Sequence, residues 1–244
     1  MPANINEIAP DVFRICLYEP AFDMQFNHFL VRDDAPLLFH AGYRRAFAPL
    51  REAVATLIDP ARIRYVGWSH FESDECGALN EWLRIAPSAE PVCSFVGKIV
   101  NVDDFAIRPA RGLGKDDVID TGRHRLRYIT SPHLPHGWDA GVMFDETDRT
   151  LFCSDLFHHF GDVPAVTDAD ILGRVRDAVQ RLQSGPLAGY MPYTCHTAPL
   201  LRRLADLKPR TLAVMHGSSY TGDGGKALCD LAGLLRDAFH VTAE

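Results

Sequence analysis

Nothing in these 244 residues is built for a membrane or a polyanion. No uncharged apolar run approaches the roughly 18 residues that span a bilayer. The first ten residues hold Asn4, Asn6 and Glu7 where a leader peptide carries a cationic and then an apolar segment. Basic residues are in deficit, 25 Lys and Arg against 32 Asp and Glu, for a formal net charge of −7. Nucleic acid and anionic lipid surfaces are gripped by a contiguous cationic patch, and the composition offers none. The densest basic stretch, Arg123-His124-Arg125-Leu126-Arg127, reads as an alternating strand with one solvated face. Cysteine is scattered, at Cys16, Cys76, Cys93, Cys153, Cys195 and Cys229, with no CxxC pair. That spacing excludes a zinc ribbon, a rubredoxin-type centre and a thioredoxin-like dithiol. GxGxxG and GxxxxGK[ST] loops are absent too, so dinucleotide and P-loop phosphate chemistry have no footing. We expect a cytoplasmic protein with no nucleic-acid or membrane partner, most of its cysteines serving as small buried hydrophobes.

What remains is the composition of an ordinary folded chain, 47% hydrophobic and 23% charged, at a length that layered α/β folds reach as one unit. There is no Pro- or Ser-rich linker, repeat or low-complexity tract, so residues 1–244 are expected to form one domain. The break from Arg108 to Asp117, with Pro109, Gly112 and Gly114, reads as a surface loop between its halves. Strand-like runs come first, at Asp11 to Leu17, Gln25 to Arg32 and Pro36 to His40. A helix is expected from Arg44 to Ile58, where Phe47, Leu50, Val54 and Leu57 recur three or four apart. Arg62 to Trp68 is the next strand, and a helix with Leu79, Trp82 and Leu83 on one face follows it. Later strands are expected at Val118 to Asp120, Arg125 to Ile129, Gly141 to Phe144, Thr150 to Cys153 and Thr211 to Met215. Helices are expected at Asp168 to Gln183, Pro199 to Leu207 and Gly225 to Ala238. Meanders mixed with strand–helix alternation predict two packed sheets with helices outside, an α/β fold of four αββα layers.

The chemistry gathers at strand ends. His70, Glu72 and Asp74 follow Arg64-Tyr65-Val66-Gly67-Trp68, His133 and His136 follow Leu126 to Thr130, Asp155 follows Leu151-Phe152-Cys153, and His216 follows Leu212 to Met215. Rigid strands deliver such loop residues to a common rim, so four ends can build one site. In an extended segment His70, Glu72 and Asp74 share one side. Imidazole nitrogen with carboxylate oxygen is a ligand set for iron, manganese or zinc. Asp74 has a second reading, as the cap of the following helix.

These residues resemble a known family. His70-Phe71-Glu72-Ser73-Asp74-Glu75 resembles the HxExDH signature of flavodiiron proteins, which belong to the metallo-β-lactamase fold superfamily; hydrolytic members have HxHxDH instead. His136 with Asp139 resembles the family's HxxD segment, and Phe152-Cys153-Ser154-Asp155 its strand ending in a bridging aspartate. Met215-His216-Gly217 resembles its final histidine before glycine, and Phe26-Asn27-His28-Phe29-Leu30 the superfamily's early NxxL strand. The likeness runs through nearly the whole chain in the family's order. It implies a metallo-β-lactamase-like sandwich with two iron ions, zinc or manganese being the alternatives. One ion would take His70, Glu72 and His136, the second Asp74 and His216, with Asp155 bridging and Asp139 orienting His136 from behind. Glu75 stands where the family has its last histidine, and is either a substitute ligand or a bystander. His159 and Tyr193 are candidates for the pocket wall.

The implied activity is binding or reduction of O2 or NO at a non-haem di-iron centre. The flavodoxin domain that follows in the family is not expected here, nor a flavin bound to this chain, so electrons are expected from a separate redox protein. The resemblance also implies a homodimer. Two other functions suit the same residues: a di-metal zinc hydrolase acting on an ester, thioester or lactam, and an oxygen-binding sensor without turnover. Glu72 argues against the hydrolase, because a hard anionic oxygen where hydrolytic relatives place imidazole favours iron and its oxidised state.

Overall fold

Two seven-stranded sheets organise the computed structural model, which describes residues 3–239. The first sheet runs in chain order: β1 (Asn4–Ala9), β2 (Val12–Glu19), β3 (Met24–Val31), β4 (Leu37–Phe39), β5 (Tyr65–Gly67), β6 (Glu90–Ser94) and β7 (Arg111–Leu113). Its first four strands form an antiparallel meander, and β4 to β7 pair in parallel. The second comprises β8 (Val118–Asp120), β9 (Arg125–Thr130), β10 (Gly141–Asp145), β11 (Thr150–Phe152), β12 (Val166–Thr167), β13 (Thr211–Ala213) and β14 (Ser219–Thr221), in the spatial order β12-β14-β13-β11-β10-β9-β8. Here β8 to β11 form the meander and β11 pairs β13 in parallel.

The layers follow from which faces are apolar. Between the sheets lie Val12, Phe29, Val31, Leu37, Phe39, Leu126, Tyr128, Met143 and Phe152. Outside the first sheet, α1 (Phe47–Ala55), the short α2 (Ser73–Cys76) and α3 (Leu79–Ile85) pack Leu50, Val54, Leu79, Trp82 and Leu83 against Ile15, Leu30 and Val66. Outside the second, α4 (Leu172–Gln183), α5 (Thr197–Asp206) and α6 (Gly224–Phe239) lay Val175, Val179, Leu201, Leu204 and Leu231 on Val142, Leu151 and Leu212. Each such side chain contributes roughly 1.5–3 kcal/mol by leaving water. Strands β4 and β11 are buried at every residue, as a strand covered on both faces must be. The order is therefore αββα. No described helix is long and apolar enough to cross a membrane.

The structure departs from the sequence reading at several places. The break at Arg108 to Asp117 is not all loop: Arg111–Leu113 forms β7, in parallel register with Val92, Cys93 and Ser94. Gly112 permits this, since a Cβ there would come within 3.1 Å of Phe95 backbone and ring atoms. The first helix starts as a 3-10 turn over Arg44–Ala46 and its α-helical part ends at Ala55. Strands β1, β6, β12 and β14 were not expected. In the basic stretch Arg125 and Arg127 pair with Glu146, while Leu126 and Tyr128 are buried on the opposite face. Four cysteines are buried and Cys195 and Cys229 are exposed, all six free.

Candidate metal centre

Six of the predicted residues converge where the two sheets meet, at the C-terminal ends of β5, β9, β11 and β13. From β5, Trp68 and Ser69 deliver His70, which is 2% exposed. Glu72 is extended, with φ −132° and ψ 157°, and Ser73–Cys76 then turns helical as α2. The segment is thus not extended throughout, and the helical turn gives its carboxylates different destinations. Glu72 reaches His136, Asp74 reaches His216, and Glu75 turns inward. Asp74 caps nothing; the N-cap position belongs to Glu72, whose side chain makes no capping bond.

Asp155, following β11, is at the middle. Its Oδ2 faces His136 Nε2 at 3.5 Å and His70 Nε2 at 3.8 Å, and its Oδ1 faces His216 Nε2 at 3.2 Å. Around Oδ2, Glu72 stands 2.9 Å from His136 Nε2 and 3.6 Å from His70 Nε2, and the two imidazoles meet edge to face at 4.3 Å. One donor atom from each of His70, Glu72, His136 and Asp155 lies within 4.8 Å of the other three. Around Oδ1, Asp74 Oδ2 approaches His216 Nε2 at 3.5 Å. His133 is exposed, so His136 is the histidine of that loop that enters the cluster.

The protein matrix aims these rings. His216 Nδ1 faces the Gln25 carbonyl at 3.0 Å, leaving Nε2 for the cluster. Asn27, on β3, donates to the carbonyls of Val214 and Gly217 at 2.8 and 2.7 Å, tying the first sheet to the loop that carries His216. His70 Nδ1 lies 2.9 Å from Ser69 Oγ and 3.3 Å from Glu75 Oε1. Glu75 is buried and accepts from the backbone N–H of Ser69 and His70 and from the hydroxyls of Ser69 and Ser154. It stands behind His70, away from Asp155's inner face. Asp139 does not orient His136: its Oδ2 accepts from Phe71 N–H at 3.0 Å, because the positive φ of Gly137 turns the chain back under the His70 loop.

Charge and burial suit this cluster to a cation. Burial opposes protonation of His70, yet Glu75, Glu72 and Asp155 override it and raise the group to about 10. His216 is raised well above its ordinary value, where Asp155 and Asp74 outweigh burial. Burial resists ionisation of Glu72, but the His136 and His70 imidazoles hold it down at about 2. Carboxylates that pull protons onto imidazoles pull metal cations into the same place. His70 Nε2 and Asp155 Oδ1 are buried without a hydrogen bond, although cluster atoms surround both. Orphaned lone pairs aimed at one another across a gap suit a bound cation, and the residues fit two hard-to-borderline metal ions.

A cavity of about 410 Å³ opens onto the cluster, walled by Phe22, Met24, Phe26, Leu182 and Leu187. A wider groove of about 910 Å³, lined by Tyr43, Arg44, Arg45, Phe71 and Phe105, reaches Glu72 and Asp74 from the other side. His159 and Tyr193 are not on the cavity wall. His159 faces the Phe157 carbonyl through Nδ1 and accepts from Ser218 N–H at Nε2, while Tyr193 packs against the core of the second sheet. The wall residues are His158 and Tyr190. The side chain shifts by one position because Phe157 takes a left-handed φ of +66°, a cost of about 1–3 kcal/mol found at functional sites. Nothing in the sequence flags that turn.

An αββα sandwich with a histidine–carboxylate cluster across its two sheets defines a metallo-β-lactamase-like fold with a candidate metal site. The profile described as "ODP family beta lactamase" matches residues 24–217. The chain belongs to that family. It is 25% identical over 241 residues to the flavo-diiron protein FprA2 of Clostridium acetobutylicum, covering 92% of this chain and 58% of that protein. It is 29% identical over 155 residues to diflavin flavoprotein A 1 of Synechocystis sp., covering 62% and 26%. Among solved structures, rubredoxin oxygen:oxidoreductase from Desulfovibrio gigas superposes with a TM-score of 0.81 over 96% of this chain and 61% of that one, at 17% identity. The chain therefore spans less than two thirds of these relatives.

Proposed function

We propose that this protein holds two iron ions and binds or reduces O2 or NO, with electrons from a separate redox protein. The observation that carries the reading is the two-sided presentation of Asp155: one oxygen faces His70 and His136, the other His216. His70, Glu72, His136 and Asp155 would hold one ion, and Asp74, His216 and Asp155 the other. Two such ions, when bound, supply an electron each and adjacent positions for a diatomic ligand.

The chain's own part is orientation and exclusion. Gln25, Ser69 and Glu75 fix the tautomers of His216 and His70, so that their Nε2 lone pairs face the cluster. Glu72 keeps an anionic oxygen between two imidazoles, which favours iron over zinc and the ferric over the ferrous state. Phe22, Met24, Phe26 and Leu182 put apolar surface in front of the cluster, where it limits the space open to water. The apolar wall suits a small uncharged gas. The six free cysteines suit a reducing cytoplasm.

The test is elemental analysis of freshly purified, untagged protein from iron-sufficient medium, followed by anaerobic reduction and oxygen exposure. Two irons per chain and a single stoichiometric consumption of O2 are expected. Stoichiometric zinc with negligible iron would instead mark a hydrolase.

A further inference from the structure

Of the three histidines lining the cavity, one is assigned no task by the metal cluster. His158 is 6% exposed, and its Nε2 is buried without a hydrogen-bond partner. Its ring lies 4.8 Å from that of His216 and 5.0 Å from that of Phe160, and it lines the same cavity as Asp74, Asp155 and His216. Its neighbour His159 has both ring nitrogens engaged and fills the space over Gly217, where even a Cβ would lie 2.4 Å from the ring. The two adjacent histidines therefore have opposite situations, one fastened into the scaffold and one left facing the cavity. A turn closed by His158 N–H on the Asp155 carbonyl at 3.1 Å sets His158 directly beside the central carboxylate's loop.

A buried polar atom is normally paired, because leaving it bare forfeits the hydrogen bonds it made to water. Here Phe22, Met24, Phe26 and Leu187 offer no partner, and the Tyr190 hydroxyl on the same wall is itself buried without one. His158 is also not a ligand by position: no carboxylate oxygen of the cluster comes within 4.0 Å of it, whereas His70, His136 and His216 each have at least two that close. It lines the cavity beside the cluster without standing among the cluster's carboxylates.

We propose that His158 is a ligand-contacting residue whose Nε2–H donates a hydrogen bond to a small, charge-bearing ligand at the metal centre. This rests on the di-iron reading and deepens it. A ligand that gathers negative charge on its outer atom is held by such a donor, and one that stays neutral gains little. His158 thereby selects for ligands that accept charge from the metals.

Azide is the probe, titrated by absorption into the oxidised, iron-loaded full chain, with metal content measured on the same samples. The wild type, His158→Leu and His158→Gln should each hold two irons. His158→Leu should bind azide about tenfold more weakly, equivalent to about 1.4 kcal/mol, and His158→Gln, which keeps a donor, should recover most of the loss. Equal azide affinity in the wild type and His158→Leu overturns the proposal, and so does loss of a metal from His158→Leu, which would make His158 a ligand. A wild type with two irons that binds no azide overturns this inference alone, whereas a wild type without iron overturns the di-iron reading beneath it.

Discussion

Glu75 occupies the position where a ligand histidine would be expected, and its buried carboxylate makes a quantitative prediction possible. Its donors are of two kinds: Oε2 takes the backbone N–H of Ser69 at 2.8 Å and of His70 at 2.9 Å, Oε1 takes the Ser154 hydroxyl at 2.9 Å, and the Ser69 hydroxyl lies 2.7 Å from both oxygens. The two kinds of donor respond differently to substitution. A hydroxyl can rotate and accept, but a backbone N–H cannot. In Glu75→Gln the amide oxygen can keep both N–H groups while its NH2 faces the hydroxyls, so the expected loss is about 1 kcal/mol. In Glu75→Ala two buried N–H groups are stranded at about 1–3 kcal/mol each beside a new void, for about 4 kcal/mol in all. For a chain of this size each kcal/mol moves the melting temperature by about 2–4 °C, so Gln should lower it by about 2–4 °C and Ala by about 8–16 °C. Thermal unfolding followed by circular dichroism, with metal content measured on the same samples, reads both effects. Glu75→Gln should keep both metal equivalents. The reasoning fails if Gln destabilises as much as Ala, or if Gln releases one equivalent while the fold persists, because then the carboxylate binds metal directly.

Three further outcomes are expected. Asp155→Ala should lose both metals and His216→Ala mainly one, since the first removes the carboxylate shared by both halves of the cluster; inductively coupled plasma analysis after gel filtration would show it, and retention of both ions in Asp155→Ala would refute the bridging assignment. Asn27→Ala should cost about 2–4 kcal/mol, because two buried carbonyls lose their donor, and should weaken metal retention on the His216 side first. Asp33 is held below the usual carboxylate range: burial opposes its ionisation, but the N–H groups of His124, Asp34 and Arg123 and the Thr121 hydroxyl outweigh it. Its folded value lies below the unfolded one, so its contribution is full above about pH 4 and falls as pH drops further. The stability gap between wild type and Asp33→Asn, measured by urea denaturation from pH 7 to pH 3, should therefore narrow only below pH 4.

Most of the layering was legible because periodicity reports burial. Val118 to Asp120 and Gly141 to Phe144 read as strands, and Asp168 to Gln183 as a helix, from which side chains are apolar; the structure extends the second strand to Asp145 and starts the helix at Leu172. Strand β6 was hidden by Pro91, a residue that ordinarily demotes a run, yet here it takes a register position opposite Val66 in a parallel ladder. Strand β7 was hidden by Gly112, whose meaning is a close approach to Phe95, and contact with a distant residue leaves no mark on local sequence. Residue types at strand ends placed six members of the cluster together. Orientation was not legible: which carboxylate of the His70 segment turns inward depends on one helical turn, and which of His158 and His159 meets the cavity depends on a left-handed Phe157.

That division has a structural cause. His70, Glu72 and Asp74 hang from the first sheet and His136, Asp155 and His216 from the second, so the cluster exists only when the sheets dock in register. The apolar interlayer supplies the adhesion, with the Phe152 ring packed on Phe29 and Phe39 at 5.5 and 5.4 Å. Register comes from the polar clasps: Asn27 on Val214 and Gly217, the N–H of Asn27 on the Met215 carbonyl, and buried Arg14 bonded to Gln25 and to the Gly217 carbonyl. All act on the loop of His216 or on Gln25, whose backbone carbonyl faces its ring. The clasps of the early NxxL strand thus fix the geometry of a donor some 190 residues further along the chain, and metal bound across the two sheets would in turn hold the sheets together. With metals bound, binding and docking would be one equilibrium, and removing them should loosen the clasped edge before it loosens the helices packed outside.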